Sequence, residues 1–587
     1  MTGASPTLLL SILLDIVTLA DGRRFEGTVL SDDGSTLVLR RRHDEFHMDR
    51  RNVAKVEKAP LSWEEYAAKA AALKPDTAAG EHAALAKWCR ERKLIDEARA
   101  QWEAVLAKAP ENAEARAALN WRKVDGKWVR DLALWAADWV KADASLGSPP
   151  VAPPDELERR SKHRADAGDW LRASGEQRQA ELLAQLTQCV MQGDAAARHE
   201  AAAALKASGV PLAALEVLAH RLDFSDPAAA PDSIEFAWNE AGDRAPCFLA
   251  LPDRRRFPGP RPVLVSMHVT SGPARNRRDR FAVLARESGW IIAAPHSEPN
   301  FGKGWGSTEA ERRVTLAALD AVLRRCPADP DRAFINGSSM GGNGAWEIAM
   351  LHPDRWAGAA PWISGARVRT MPFLANLRGL PLQARVGALE DGLMLEATRE
   401  AAAFLREGLG SPAALEEEPD WGHMDKDETW IAAFAEWAAP IRRNVYSPAI
   451  VQRFVTVAQS RHHWLAAETL RGPAPVDPTR GDIPVSATGT EAERRREYVK
   501  KGRDGTALLT GRVAGQKISI EARKVGRLTV WFSDNLVDLD RDVIVEINGK
   551  RAFSGKIERR FEDFIDEIAA SGDAGRIYVA RKSFEVK

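Results

Sequence analysis

Between residues 16 and 57 apolar and polar positions alternate with a period of two: Val17 and Leu19, Phe25 and Val29, Leu37 and Leu39, Phe46 and Met48. That period belongs to half-buried strands, and Asp21-Gly22 and Asp33-Gly34 supply hairpin turns between them. Several short strands in about 40 residues predict a small SH3-like or Sm-like β-barrel over 15–60. At Ser62-Trp63-Glu64-Glu65 the pattern turns helical, with Ser62 placed as the N-cap of a capping box. Leu85, Trp88 and Cys89 share one helical face, then Ala98, Trp102, Val105 and Leu106 the next. Pro110 stops that helix, and Asn112 to Leu119 opens a third. Residues 61–142 therefore resemble tetratricopeptide repeats, about one and a half copies where roughly three are needed to stand alone. The region is expected to be a docking appendage for a protein partner.

A proline-rich linker follows at 143–155, where Gly147-Ser148-Pro149-Pro150-Val151-Ala152-Pro153-Pro154 is stiff and polar. Residues 156–228 read as a helical connector without chemistry. From 229 to 442 strand and helix patterns alternate, the signature of a doubly wound, mostly parallel sheet. Ile234 to Trp238, Pro262 to Met267, Ile291 to Ala294, Ala333 to Ile335 and Leu382 to Val386 are the strands; Arg277 to Ser288 and Glu309 to Arg325 are helices. After 443 the period of two returns in Lys517 to Arg523, Arg527 to Phe532, Val543 to Ile547 and Ala552 to Ile557. With the Asn548-Gly549 turn, a helix from Phe561 to Ala569 and a last strand from Arg576 to Val586, residues 443–587 predict a β-sandwich accessory domain.

Length and composition narrow the function. At 587 residues the chain is too long for one core, and roughly 150 residues per domain predicts about four. Lys+Arg and Asp+Glu both number 83, so a general nucleic-acid binder is not indicated. Arg40-Arg41-Arg42 is expected to be a solvated turn. Cys89, Cys189, Cys247 and Cys326 are too few and too scattered for a disulfide framework or a zinc site and are read as buried thiols. Leu8 to Leu14 is an apolar run far below the ~20 residues of a bilayer span. It has the form of a weak signal segment over 1–14, which tips the expectation toward export or the cell envelope over the cytoplasm.

The sharpest chemical signal is Gly337-Ser338-Ser339-Met340-Gly341, lying between the strand Ala333-Phe334-Ile335 and helical residues from Ala345. G-x-S-x-G at a strand-to-helix turn is a nucleophile elbow, which lifts Ser339 off the sheet edge. The stretch Asp329 to Gly342, with His352-Pro353-Asp354-Arg355-Trp356-Ala357-Gly358 after it, resembles α/β-hydrolases of the esterase D, feruloyl esterase and polyhydroxyalkanoate depolymerase group. The resemblance covers about 210 residues of this chain and implies a carboxylic-ester hydrolase fold, with no particular substrate.

A serine nucleophile needs a histidine base, and the base needs a carboxylate that fixes its tautomer. In this fold the chain order is Ser, acid, His. His423, in Asp420-Trp421-Gly422-His423, is the candidate base; His268, His296 and His352 compete less well. For the acid, the family count falls on Glu390 and the usual residue type favours Asp391, which is the choice made on sequence. Two backbone N–H groups should form the oxyanion hole: that of Met340, and that of Val269 in His268-Val269-Thr270-Ser271-Gly272. The resemblance implies glycine where Val269 stands, so this position departs from the family. Trp305 and Trp362 are candidates for pocket lining, with plain packing the competing reading. His462-His463 reads as a strand edge because no third ligand is near.

These features predict a serine esterase with a Ser339–His423–Asp391 triad, no cofactor, no metal and no integral span, acting on a small or polymer-linked ester. The alternatives are a prolyl-oligopeptidase-like peptidase and a non-catalytic scaffold.

Overall fold

The computed structural model describes residues 14–587 except 21–23, 41–44, 60–61, 93, 120, 131–136, 138, 140–153, 226–230, 271, 297–304, 306–307, 389, 391, 419–420, 424–426 and 489–490. Most of the apolar run near the start, Asp21-Gly22, the linker and Asp391 therefore lie outside the described residues. The chain divides into two compact units: residues 1–134 with 386–396 and 417–424, and residues 135–385 with 397–416 and 425–587.

In the first unit, β1 (Leu14–Leu19), β2 (Arg24–Asp32), β3 (Thr36–Arg40), β4 (Glu45–Asp49) and β5 (Val53–Ala59) form one antiparallel sheet in the order β4-β3-β2-β1-β5. The period-two residues behave as expected: Val17, Leu19, Leu37, Leu39 and Val53 make the core, with Phe25, Val29 and Met48 against it. The β2–β3 turn is held by Asp33, whose carboxylate accepts from the Thr36 and Ser35 N–H groups. Helices α1 (Ser62–Ala71), α2 (Ala79–Glu91), α3 (Ile95–Lys108) and α4 (Ala113–Ala118) follow. Ala86, Trp102, Val105 and Ala115 form one small core, Leu85, Cys89 and Ala98 another. The Asn112 side chain caps α4 by accepting from the Ala115 N–H. A hairpin of β6 (Trp121–Val124) and β7 (Lys127–Arg130), turned at Asp125-Gly126, was not expected from the sequence.

The second unit begins its described elements with α5 (Pro154–Met191), broken at Gly175, then α6 (Ala195–Ala207) and α7 (Leu212–Ala219). Next come β8 (Ser233–Ala237), β9 (Arg244–Ala250), β10 (Arg261–Met267), α8 (Ala274–Ser288), β11 (Ile291–Pro295), α9 (Glu309–Arg325), β12 (Ala328–Ser338) and α10 (Met340–Leu351). They are followed by β13 (Gly358–Trp362), β14 (Leu382–Gly387), α11 (Gly392–Ala403), β15 (Ala413–Glu418) and α12 (Asp427–Ala438). The sheet order is β15-β14-β13-β12-β10-β11-β9-β8, with β11, β10, β12, β13 and β14 parallel and β9 antiparallel to β11. This is an α/β-hydrolase-like arrangement. α8 and α12 cover one face through Phe281, Leu284, Trp430 and Phe434, packed on Leu264, Ile292 and Phe334. Trp362 belongs to that core, edge-on to Trp430, so packing accounts for it and pocket lining does not.

Beyond Pro440 two sheets form, β16-β18-β19-β21-β22 and β17-β20-β23, from β16 (Ala449–Phe454), β17 (Leu465–Leu470), β18 (Ala507–Ala514), β19 (Lys517–Arg523), β20 (Val525–Phe532), β21 (Val543–Ile547), β22 (Lys550–Gly555) and β23 (Ala580–Glu585). Helix α13 (Glu491–Gly505) precedes β18, and α14 (Phe561–Ser571) precedes β23. Leu186, Leu215 and Leu218 of the helical connector share one core with Phe454, Leu509, Val530 and Phe564. Arg198 and His199 of α6 meet Asp566 of α14 at 3.1 and 2.9 Å. The connector thus shares the core of the C-terminal region.

Charged groups tie this region to the eight-stranded sheet. Buried Arg443 donates to both oxygens of buried Asp573 at 2.7 Å and to half-buried Asp331 at 3.0 Å. Arg576 pairs with Asp354. Those guanidinium groups hold the Asp354 and Asp573 carboxyls far below the usual carboxylate range. His462 and His463 are buried beside Asp354, and burial lowers both pKa values. They sit in an interior loop, with His462 Nδ1 2.9 Å from the Val451 carbonyl, and not at a strand edge. All four cysteines are buried and free. Desolvation pushes the thiols of Cys89 and Cys326 up to about 12 and that of Cys189 to about 11. Among the described residues no single helix is long and apolar enough to cross a membrane.

Candidate active site

The elbow is built by close backbone approach. β12 ends at Ser338, α10 starts at Met340, and Ser339 between them has φ 53° and ψ −115°. A non-glycine residue held at positive φ costs on the order of 1–3 kcal/mol, so its surroundings must impose the conformation. They do so through glycines. A Cβ on Gly337 would lie 2.3 Å from Gly341, and one on Gly341 would lie 2.4 Å from the Met267 carbonyl oxygen. At these two positions the turn presses against backbone on both sides of the serine. The Ser339 N–H donates to the Trp362 carbonyl at 3.1 Å, and the Ser339 carbonyl accepts the first helical bond, from Asn343 N–H, at 2.9 Å. The positive end of α10 therefore starts at the residue carrying the hydroxyl.

Under the elbow lies a charge that the sequence reading passed over. Arg277, on α8 and only 4% exposed, donates to Ser338 Oγ at 3.0 Å, Asn336 Oδ1 at 2.7 Å and Ser266 Oγ at 3.1 Å. Asn336 in turn donates to the Ala360 carbonyl at 2.6 Å, joining β12 to β13. The signal was present in the helical pattern: Arg277 occupies the same buried stripe as Phe281, Leu284 and Ala285, an arginine at a core position.

The β10 loop lies against Gly341. His268 is buried, with Nδ1 2.8 Å from the Val269 carbonyl oxygen; its ring stacks on His296 at 5.4 Å and meets Trp305 edge-on at 5.0 Å. Trp305 Nε1 donates to the His268 carbonyl at 3.0 Å, and its Cβ blocks the space a side chain at Gly344 would need. Trp305 thus braces this loop and α10. Among the described residues six non-glycines have positive φ, and Val269 is not one of them. The Gly272 N–H closes a turn onto the Val269 carbonyl at 3.3 Å. His352 is buried, and burial lowers its pKa to about 4 against the opposing pull of Asp354 and Glu309. It is unsuited to serve as an exposed base.

In the first unit, the segments past β14 and β15 are bound to each other. The Ala388 N–H donates to the Glu418 carbonyl at 2.8 Å, and a Cβ on Gly387 would lie 2.1 Å from the Trp421 carbonyl oxygen. That contact brings His423 Nδ1 to 2.6 Å from Glu390 Oε2, with the carboxylate almost wholly buried. The carboxylate on His423 is therefore that of Glu390. Asp391, the sequence choice, lies outside the described residues. Glu390 is the residue on which the count from Gly387 falls, and its side chain reaches the imidazole from there.

No protein-family model matches the chain, and no curated protein matches it. Similar solved structures include a thermostable esterase (20% identity, TM-score 0.29), covering 36% of this chain, which spans about 63% of that esterase's length. The S-formylglutathione hydrolase FrmB of Staphylococcus aureus matches at 17% identity and TM-score 0.31, over 36% of this chain and 95% of its own. A bacterial heroin esterase matches at 16% identity and TM-score 0.30, over 44% of this chain and 96% of its own.

Proposed function

We propose that the chain is a serine carboxylic-ester hydrolase with Ser339 as nucleophile, His423 as base and Glu390 as the acid that orients the base. The strained backbone of Ser339 at the β12–α10 junction carries this reading, since such a conformation persists where the surroundings enforce it. The 2.6 Å contact between His423 Nδ1 and Glu390 supports the second part: it leaves Nε2 as the nitrogen able to accept a proton. In the proposed cycle His423 Nε2 takes the Ser339 proton as Oγ attacks the ester carbonyl. The N–H groups of Met340 and Val269 receive the oxyanion. The alkoxide leaves with the proton from His423, and water repeats the sequence to release the acid. Val269 contributes only its backbone N–H to this scheme, so a side chain there is compatible with it while narrowing the space beside the acyl group.

A series of p-nitrophenyl esters of rising acyl length, run beside a p-nitroanilide peptide, tests the reading. Turnover of the short esters, without the amide, is the expected result. Amide cleavage favours the peptidase, and a pure, folded protein that turns over neither contradicts the enzyme.

A further inference from the structure

We propose that Arg277 is a positioning residue for the nucleophile: one buried guanidinium sets the backbone from which Ser339 projects. The inference rests on Ser339 being the nucleophile and deepens that reading. Side chains two apart on a strand share a face, so Asn336 and Ser338 of β12 both turn toward α8. Ser266 of β10 is the direct cross-strand partner of Asn336. The three acceptors thus form a compact triangle on one sheet face, on the last residues before the elbow. Arg277 spans it with three donors at 2.7–3.1 Å. Its planar fork can satisfy several acceptors at once, which an ammonium on a flexible stem cannot do in the same geometry.

Consequences follow from the position of Ser338. Its hydroxyl is held by Arg277 and its peptide leads directly into the strained φ of Ser339. Fixing the side chain at 338 limits rotation of the peptide that carries the nucleophile, while Asn336 transmits the same restraint to β13 through the Ala360 carbonyl. Trp362, which receives the Ser339 N–H, lies two residues further along β13. Arg277 therefore restrains the nucleophile from the strand before it and from the strand beside it. It touches neither substrate nor the reacting atoms.

The test measures the rate of phosphonylation by a fluorophosphonate, together with kcat and KM for p-nitrophenyl acetate, on the full chain and on Ser338→Ala and Arg277→Lys. Far-UV circular dichroism and the thermal midpoint accompany each protein. Misplacing a reacting group by about 1 Å can cost about 100-fold. Accordingly Ser338→Ala is expected to lose about tenfold and Arg277→Lys about 100-fold in phosphonylation rate and in kcat. KM and the pH midpoint should stay in place, because the imidazole and the binding surface are untouched. Folded variants that react at the wild-type rate overturn the proposal. So does a loss seen only in Arg277→Lys and only together with lost folding, when Ser338→Ala is fully active. A wild-type chain that resists phosphonylation overturns the nucleophile assignment along with it.

Discussion

The elbow and the junction between the eight-stranded sheet and the C-terminal region both hold buried polar groups in the second unit, yet they are encoded in opposite ways. The elbow is a local instruction: Gly337, Ser339 and Gly341 lie within five residues, and the strain at Ser339 is enforced by backbone a few ångströms away. The junction is a distributed one. Asp331, Asp354, Arg443, Asp573 and Arg576 come from segments up to 245 residues apart, and no spacing rule links them. A motif can be read in either a catalytic or an inert protein, because it specifies a shape. A dispersed network of buried charges exists only in the assembled fold, where each carboxylate replaces lost hydration with a guanidinium.

The largest effect separating the two regions concerns the acid. Glu390→Gln should lower kcat by about 10²–10⁴-fold, because an amide no longer stabilises the imidazolium on His423. Asp391→Asn should change kcat by no more than about twofold, because Glu390 already holds His423 Nδ1. Steady-state hydrolysis of p-nitrophenyl acetate by the two variants decides between the carboxylates, and the reverse pattern restores Asp391.

Next in size is the junction. Asp573→Asn leaves Arg443 in the interior with half of its carboxylate pairing, and should destabilise the chain by about 3–5 kcal/mol. The denaturant midpoint followed by tryptophan fluorescence reads this. A shift within ±0.5 kcal/mol would mean that the C-terminal region is not fastened through these charges.

The smallest effect is a pH slope. Burial lowers the pKa of His352 to about 4, below the unfolded value of ~6.5. Between these values the unfolded chain binds the proton and the folded chain does not, so stability falls as pH drops from about 6.5 toward 4. The depressed carboxyls of Asp354 and Asp573 act in a lower window: their contribution persists down to the ordinary carboxylate range and is lost only below about 4. His352→Gln should therefore flatten the upper limb by on the order of 1–3 kcal/mol, measured as denaturant midpoints between pH 4 and 7. An unchanged slope would assign that limb to other groups.

Legibility in the sequence followed the range of the interactions. The period-two runs of the N-terminal sheet, the helices Glu309–Arg325 and Ala274–Ser288, and the elbow could all be read, since neighbours in sequence decide them. Strand β15 was missed because its Glu416-Glu417-Glu418 end reads as polar, and only the sheet gives it a place. His462 and His463 were read as edge residues because their burial depends on Asp354 and Arg576, far away in the chain. The connector read only as helices without chemistry, since its apolar stripes match partners more than 200 residues later. At the site, the strand-to-helix turn carrying Ser339 was legible because it is local; the contact of His423 with Glu390 joins positions 33 apart, so counting pointed to Glu390 and residue type to Asp391. Arg277 stands in the apolar stripe of its helix, but its partners on β10 and β12 come from the fold and not from that stripe.

The most direct measurement is mass spectrometry of the intact chain after fluorophosphonate treatment, followed by peptide mapping. The account predicts a single phosphonyl adduct on the peptide containing Ser339, absent in Ser339→Ala and strongly slowed in His423→Gln. An unmodified chain, or an adduct that persists in Ser339→Ala, would contradict it.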